Sequence, residues 1–221
     1  MLITDHPYHR WTVKKQKQLI IWGNVTAVLL LLALLALNIL VSPLFFVLIP
    51  LFFVLAQLVD VATNLHSGKL IRYSYFLLAE PKGKTCHLHT TTLFDCLFLK
   101  QKLESTSQPK RWLFADMLEG LQKVSQNLNP NQTQVQTIEG TTYFLNRKSL
   151  TRLGFHVEKP SPLQVIILSL NFLNLMIANY VITGKIRWPK VSNTLKFTCS
   201  TQEFHEMQPK LKALRSRVLS D

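Results

Sequence analysis

The chain has 221 residues, of which 48% are hydrophobic, and its 25 Lys and Arg outnumber 12 Asp and Glu, so that the net charge is +13. This length allows one ordinary domain plus an anchor, or two small domains. The charge favours acidic partners such as anionic lipid or nucleic acid, and three cysteines without framework spacing exclude a disulfide-stapled secreted module.

Two apolar runs near the N-terminus predict a transmembrane helical hairpin over residues 19–62. The first run, residues 19–41, holds 23 residues without a charge, which is enough to cross a hydrocarbon core of about 30 Å as a helix. The second run resumes after Ser42 and Pro43 and ends at Ala62, so the turn between the runs is short. A cleaved signal peptide is the alternative for the first run, but its apolar core is shorter and no second span follows it.

Basic residues on both sides of the hairpin predict its orientation. Lys and Arg resist translocation, so the segments that carry them stay in the cytoplasm. They precede the first run and follow the second, and the turn has none: Arg10, Lys14, Lys15, Lys17, Lys69, Arg72, Lys82 and Lys84. We therefore expect residues 1–18 to form a basic cytoplasmic arm, both termini to be cytoplasmic, and the protein to lie in a bacterial inner membrane.

Two polar residues inside the predicted spans form a candidate pair. Asn24 and Asp60 lie about 18 and about 17 residues from the turn, so a rise of about 1.5 Å per residue places them at nearly equal depth. An unpaired polar side chain in lipid is costly, and we expect Asn24 and Asp60 to pair directly. A proton or ion relay through Asp60 and Gln57 is the functional alternative.

The remainder of the chain, residues 63–221, predicts one cytoplasmic α+β domain. Aromatic and alternating residues around the turn signal PKGK predict a β-hairpin from Leu70 to Thr91, followed by a helix or a third strand from Thr92. The clearest helix is predicted by apolar residues at three- and four-residue spacing, namely Phe114, Met117, Leu118, Leu121, Val124 and Leu128.

The stretch NRKSLTRLGF, residues 146–155, resembles the helix followed by Gly-Phe near the end of many acyl-CoA-dependent N-acetyltransferases. Asn146 is a good helix cap and Gly154 stands where a helix would end, so the same pattern also follows from local structure alone. The sequence lacks the glycine-bearing pyrophosphate loop of that family. The resemblance therefore assigns no site residues.

A second concentration of apolar residues, 163–182, is long enough for a third span. Both of its flanks are basic, however, and one side of the helix is more polar than the rest, so a crossing would move one basic cluster outside. We expect a helix that lies at the membrane surface or packs against the hairpin and the domain. A full crossing is the alternative.

The C-terminal segment predicts a short basic amphipathic helix. Leu211, Leu214 and Val218 fall on one stripe, and four basic residues surround them: Lys210, Lys212, Arg215 and Arg217. Such a helix lies on anionic headgroups, to which each basic residue contributes roughly 1 kcal/mol, or it packs its stripe on the domain. The sequence leaves both interpretations open.

The stretch CHLHTTTLFDC, residues 86–96, is the densest group of chemically reactive side chains. Strand alternation places His87 and His89 on one face and a neighbouring cysteine on the other, so Asp95 or Cys96 would have to complete any metal site from the next element. The two spaced ligand pairs of a structural zinc site are absent from the sequence. We therefore predict packing rather than metal binding, and no cofactor.

These observations favour a non-catalytic binding or assembly module anchored in the membrane, with a protein partner or a second copy and no nucleic acid. The predicted lipid contacts are Arg10, Lys14, Lys15, Lys17, Lys210, Lys212, Arg215 and Arg217. The alternative is a membrane-bound enzyme that acts on a lipid-linked or acidic substrate. Its first catalytic candidates would be His87, His89, Asp95 and Cys96.

Overall fold

The computed structural model describes residues 6–42, 49–90, 92–104, 106–128, 133–143, 145–186, 188–189 and 191–220. Apolar helices come first and an α+β domain follows. In chain order the elements are α1 (Pro7–Arg10), α2 (Val13–Leu40), α3 (Ile49–His66), β1 (Ile71–Arg72), β2 (Leu77–Lys82), β3 (Thr85–Thr90), α4 (Leu93–Glu104), α5 (Pro109–Asn127), β4 (Thr137–Thr142), α6 (Arg147–Arg152), β5 (His156–Glu158), α7 (Pro162–Leu170), α8 (Phe172–Thr183), β6 (Leu195–Ser200), α9 (Thr201–Glu206) and α10 (Gln208–Ser220).

The long helix α2 begins where Thr12 caps it, since the Thr12 hydroxyl accepts a hydrogen bond from the Lys15 N–H. Its 28 residues extend about 42 Å at about 1.5 Å per residue, and most of its apolar side chains are exposed. Among the described residues, α2 is the one unbroken helix long and apolar enough to cross a bilayer. The apolar helix α3 is shorter, so the second span of the predicted hairpin is not established by the structure.

The helices α2 and α3 lie side by side and antiparallel. Residues early in α2 contact residues late in α3, as in the 3.2 Å contact between Gln16 Oε1 and His66 Nδ1. Further along, a Cβ atom at Gly23 would lie only 2.6 Å from a methyl group of Val59. Glycine at position 23 therefore permits the close approach of the two helices.

The domain contains a six-stranded sheet in the order β1-β2-β3-β4-β6-β5. All neighbouring strands are antiparallel except β3 and β4, which are parallel. The predicted β-hairpin is present as β2 and β3, and Gly83 in its turn has a φ of +60°. Its predicted first arm is not one strand, because the chain turns after Arg72 and β1 pairs with β2. The segment from Thr92, predicted as a helix or a strand, is the helix α4, and the predicted amphipathic helix is α5.

One face of the sheet carries the main core of the domain. Helices α5, α9 and α10 pack there, so that the apolar stripe of the C-terminal helix is buried against the domain. The structure thus favours packing for this stripe over contact with headgroups. The main core of the domain includes Leu77, Cys86, Leu118, Ile138, Phe197, Phe204 and Leu211.

The second face of the sheet meets the apolar helices. Tyr8 from α1 packs there, and its hydroxyl donates a 3.0 Å hydrogen bond to the carbonyl of Ala62 in α3. The expected basic arm is therefore folded against the protein from residue 6 onwards. We call the buried residues at this contact the junction cluster: Tyr8, Val61, Ala62, Leu65, Leu70, Leu78 and Phe94.

The third apolar segment forms two helices rather than one. Helices α7 and α8 meet at Asn171 with a bend of 68°. Helix α8 packs through Ala178 against α4 and α3, whereas α7 has no buried residue. The segment is therefore packed in its second half and exposed in its first.

The segment that resembles the acetyltransferase pattern is a capped helix followed by a strand. Asn146 accepts a 2.8 Å hydrogen bond from the Ser149 N–H, and α6 ends before Gly154, whose φ is +91°. Strand β5 follows at the edge of the sheet.

Candidate functional site

A buried ion pair holds the first helix of the domain against the sheet. Arg72 on β1 and Asp95 at the start of α4 are both buried, and a guanidinium nitrogen of Arg72 donates to Asp95 Oδ1. The second carboxylate oxygen accepts from the Thr92 N–H at 3.0 Å and from the Thr92 hydroxyl at 2.7 Å. Asp95 is thus occupied by structural partners, and it does not line the crevice next to the two histidines with which the sequence grouped it.

His6 completes this buried cluster from the N-terminal segment. Its Nε2 lies 4.0 Å from Asp95 Oδ1, and its ring contacts the rings of Tyr75 and Phe98. Burial lowers the pKa of His6 to about 2, with further lowering by the positive charge of Arg72. His6 is therefore neutral, and it packs as an aromatic side chain.

His87 and His89 lie on the second face of the sheet, each beside a carboxylate. His87 Nδ1 is 3.0 Å from Glu139 Oε1, and Lys196 Nζ is 3.0 Å from the other oxygen of the same carboxylate. His89 Nε2 lies 3.4 Å from Glu80 on the neighbouring strand. Burial lowers the pKa of His89, although the negative charge of Glu80 opposes that shift.

Four of these side chains line a crevice of about 130 Å³, namely His87, His89, Glu139 and Lys196. Strands β3 and β4 pair as far as Leu88 and Gly140 and then separate, and Gln164 of α7 lies over the opening. A Cβ atom at Gly140 would lie 2.9 Å from the carbonyl oxygen of Leu88 and 2.5 Å from the Phe197 ring. The crevice therefore opens next to a position that only glycine fits.

The cysteines of the described residues are free and do not reach this crevice. Cys86 faces the main core and Cys96 packs beside α8, and burial raises the pKa of each thiol to about 12, as it does for Cys199. Both thiols of the 86–96 stretch are therefore buried and held in the protonated form. Within the described ranges, no group of three or more His, Cys, Asp or Glu side chains is placed to hold a metal ion.

The expected pair between Asn24 and Asp60 is not formed. The Asn24 amide donates to the Ile20 carbonyl at 2.8 Å, and Asp60 Oδ1 accepts from the Asn64 amide at 3.0 Å. Each side chain is hydrogen-bonded within its own helix, Asn24 to a backbone carbonyl and Asp60 to a side-chain amide one turn away. The alternative of a relay through Asp60 and Gln57 stays a prediction.

The residues predicted to contact lipid fall into two sets. Those at the start of α2 are exposed, and the Lys15 ammonium lies 4.4 Å from the centre of the Trp11 ring. On α10, Lys210, Lys212 and Arg217 are exposed, whereas Arg215 forms an ion pair with Glu119 of α5.

Arg72 and His6 belong to a buried cluster that was not predicted from the sequence. One signal was present for Arg72, a single cation within the apolar stretch LIRYSYFLL, where a strand must bury it with a partner. Nothing near His6 marks it, because its burial depends on helices that follow far along the chain.

No protein-family model, curated protein or solved structure matches the chain.

Proposed function

We propose that this is a membrane-anchored protein whose α+β domain is fixed at the bilayer surface and serves there as a binding or assembly module. One observation carries the proposal: the end of α3 and the short helix α1, which precedes α2, are built into the domain through the junction cluster. A domain that only needed tethering would be joined by a flexible linker. Here the anchor and the sheet share one apolar contact, so the domain presents fixed surfaces to the membrane and to a partner.

The exposed surface of α2 supports membrane insertion. Ile39 and Leu40 are each 81% exposed and Trp22 is 67% exposed, which is unfavourable in water and favourable in lipid. In the proposed arrangement, α3 crosses back beside α2 and both termini lie in the cytoplasm, where basic residues meet anionic headgroups. The headgroup contacts are Arg10, Lys14, Lys15, Lys17, Lys210, Lys212 and Arg217.

Helix α7 supplies a further exposed apolar stripe. Leu163, Ile166, Ile167 and Leu170 are exposed along one side of it, and Trp188 stacks on Phe172 at the bend with ring centres 5.4 Å apart. Helix α8, into which α7 leads, packs on α3 of the proposed anchor. We infer that α7 lies in the headgroup region rather than crossing the bilayer.

Introduced cysteines test the topology, because the buried native thiols react slowly. Arg10→Cys and Ser220→Cys mark the two ends, and Val41→Cys marks the end of α2 at the turn. In sealed right-side-out vesicles, a membrane-impermeant maleimide is expected to label Val41→Cys. In inverted vesicles, the same maleimide is expected to label Arg10→Cys and Ser220→Cys. Ends on opposite sides of the membrane, or release of the chain by alkaline carbonate, would contradict the proposal.

One observation favours a second function, an enzyme acting on a lipid-linked or acidic substrate. The crevice between the separating strands holds a cation, Lys196, and a histidine, His87, that share the Glu139 carboxylate. Replacing His87 and His89 together by Gln separates the two functions. A binding module keeps membrane insertion and co-purification of its partner in mild detergent, whereas an enzyme of this kind loses its biological activity.

A further inference from the structure

A narrow apolar groove lies where α2, α3 and α4 meet, and its volume is about 530 Å³. Its walls are formed mainly by Leu19, Trp22, Leu55, Leu58, Phe94 and Phe98. The two phenylalanines belong to the domain, and the other four residues belong to the apolar helices. The groove therefore runs from the base of the domain along the proposed anchor.

The mouth of the groove carries a positive charge. Of the described residues that line it, Lys15 alone is charged, and its ammonium is held over the Trp11 ring at 4.4 Å. Gln18 lies beside them, and the first turn of α2 contains no acidic residue. An anionic group at the mouth would therefore meet a positioned cation, while an uncharged tail would meet the apolar walls.

The length and the lining of the groove fit an extended hydrocarbon chain. From Lys15 to Thr26 at the deep end, α2 rises about 16 Å at about 1.5 Å per residue. The cation lies at one end of this length, and the walls beyond it are mainly apolar. An anionic lipid has the same arrangement, with a charged headgroup at one end of an apolar chain.

We propose that the groove binds one acyl chain of an anionic phospholipid, and that Lys15 beside Trp11 binds the phosphate of this lipid. The proposal rests on the membrane anchoring proposed above and adds a defined site to it. Diffuse attraction to the headgroups would make the basic residues of α2 equivalent. A defined site makes Lys15 different from Lys14 and Lys17, which do not line the groove.

Native mass spectrometry of the full chain in mild detergent tests this site. Phosphatidylglycerol and phosphatidylcholine with identical acyl chains are added in equal amounts, and the retained lipids are counted. We expect one phosphatidylglycerol per chain. Lys15→Gln is expected to weaken its retention about fivefold, because one basic contact near an anionic headgroup is removed. Lys17→Gln, the comparison variant on the same turn of helix, removes a headgroup contact outside the groove and is expected to have a clearly smaller effect.

A second pair of variants tests the acyl-chain end. Thr26→Trp fills the deep end of the groove and is expected to abolish selective retention, while Val25→Trp, on the neighbouring exposed position outside the groove, is expected to preserve it. Circular dichroism verifies that each variant is folded. Equal retention of both lipids, equal effects of the two lysine substitutions, or a polypeptide in place of lipid would overturn the site.

Flotation of the wild-type chain with phospholipid vesicles separates the two proposals. If the chain does not float, the membrane anchoring itself fails. If the chain floats but shows no preference for phosphatidylglycerol, the anchoring stands and the lipid site is overturned.

Discussion

Asp95 compensates the buried positive charge of Arg72. Arg72 lies in a segment of aromatic and aliphatic residues, and both members of the pair are buried. Burying an ion without a counter-ion costs far more than burying an ion pair. The N–H and the hydroxyl of Thr92 donate further hydrogen bonds to the Asp95 carboxylate. The Asp95 side chain therefore has two roles: it stabilises the start of α4, and it neutralises the charge of Arg72 on β1.

Asp95→Asn is expected to destabilise the folded protein by about 3–5 kcal/mol, since it leaves a buried guanidinium without its counter-ion. The measurement is chemical or thermal unfolding in detergent. Glu104→Gln serves as the matched control, because it removes a carboxylate from the exposed pair with Lys100 and exposed pairs contribute little. Equal stabilities of the two variants would show that Arg72 is compensated elsewhere.

His6 makes the stability of the protein depend on pH. In the folded protein its pKa is about 2, whereas an unfolded histidine has a pKa of about 6.5. Between these values the unfolded chain binds a proton that the folded chain does not, so stability falls as pH falls. From pH 7 to pH 5 we expect a loss of about 2 kcal/mol from His6.

Comparing unfolding at pH 7 and pH 5 for the wild type and His6→Phe measures this contribution. Phenylalanine keeps a ring against Tyr75 and Phe98 but has no proton to bind. The variant is expected to show a smaller loss on acidification. Identical losses would mean that His6 does not control the acid sensitivity.

At the scale of the element, α10 shows how an amphipathic helix can be taken for a membrane-surface helix. Its stripe and its cations fit both surroundings, because a headgroup layer and a domain core each accept one apolar side. Leu211 is fully buried against the domain, and Arg215 pairs with Glu119 of α5. The helix is thus part of the core, and only the remaining cations of its outer side are free to meet lipid.

Leu211→Ala is expected to cost about 2–5 kcal/mol of stability, because it leaves a cavity in a packed core. Leu219→Ala, on the same helix at a position that is 61% exposed, is the control and is expected to change stability little. Both are measured by unfolding in detergent. If the two variants have equal stability, α10 does not pack on α5 as described.

At the scale of the whole molecule, local sequence patterns predict individual helices and strands, whereas contacts between distant segments determine the candidate site. The 28-residue helix α2, the amphipathic α5 and the β2–β3 hairpin follow from hydrophobicity and turn residues within each segment. The pairing of His87 with Glu139 depends on parallel strands more than forty residues apart, and no local pattern specifies their register. No proline or glycine lies at the bend at Asn171, so the sequence does not predict this bend.

The junction cluster predicts that the domain does not stand alone. A chain shortened to residues 69–221 loses Tyr8, Ala62 and Leu65, and Leu78 and Phe94 become exposed. We expect this chain to aggregate, as judged by size-exclusion chromatography, because it exposes a continuous apolar patch. The same shortened chain with Leu78→Gln and Phe94→Gln is expected to be more soluble, and a monodisperse unsubstituted domain would contradict the prediction.

The contact between His6 and Asp95 also determines when the N-terminal segment can fold during synthesis of the chain. The two residues are separated by almost ninety positions, so at about 5–20 residues per second the ribosome finishes one roughly 4–18 s before the other. During that interval the nascent N-terminal segment has no pocket to enter. Both apolar helices have then already emerged, so the segment closes onto the sheet as a late step of assembly.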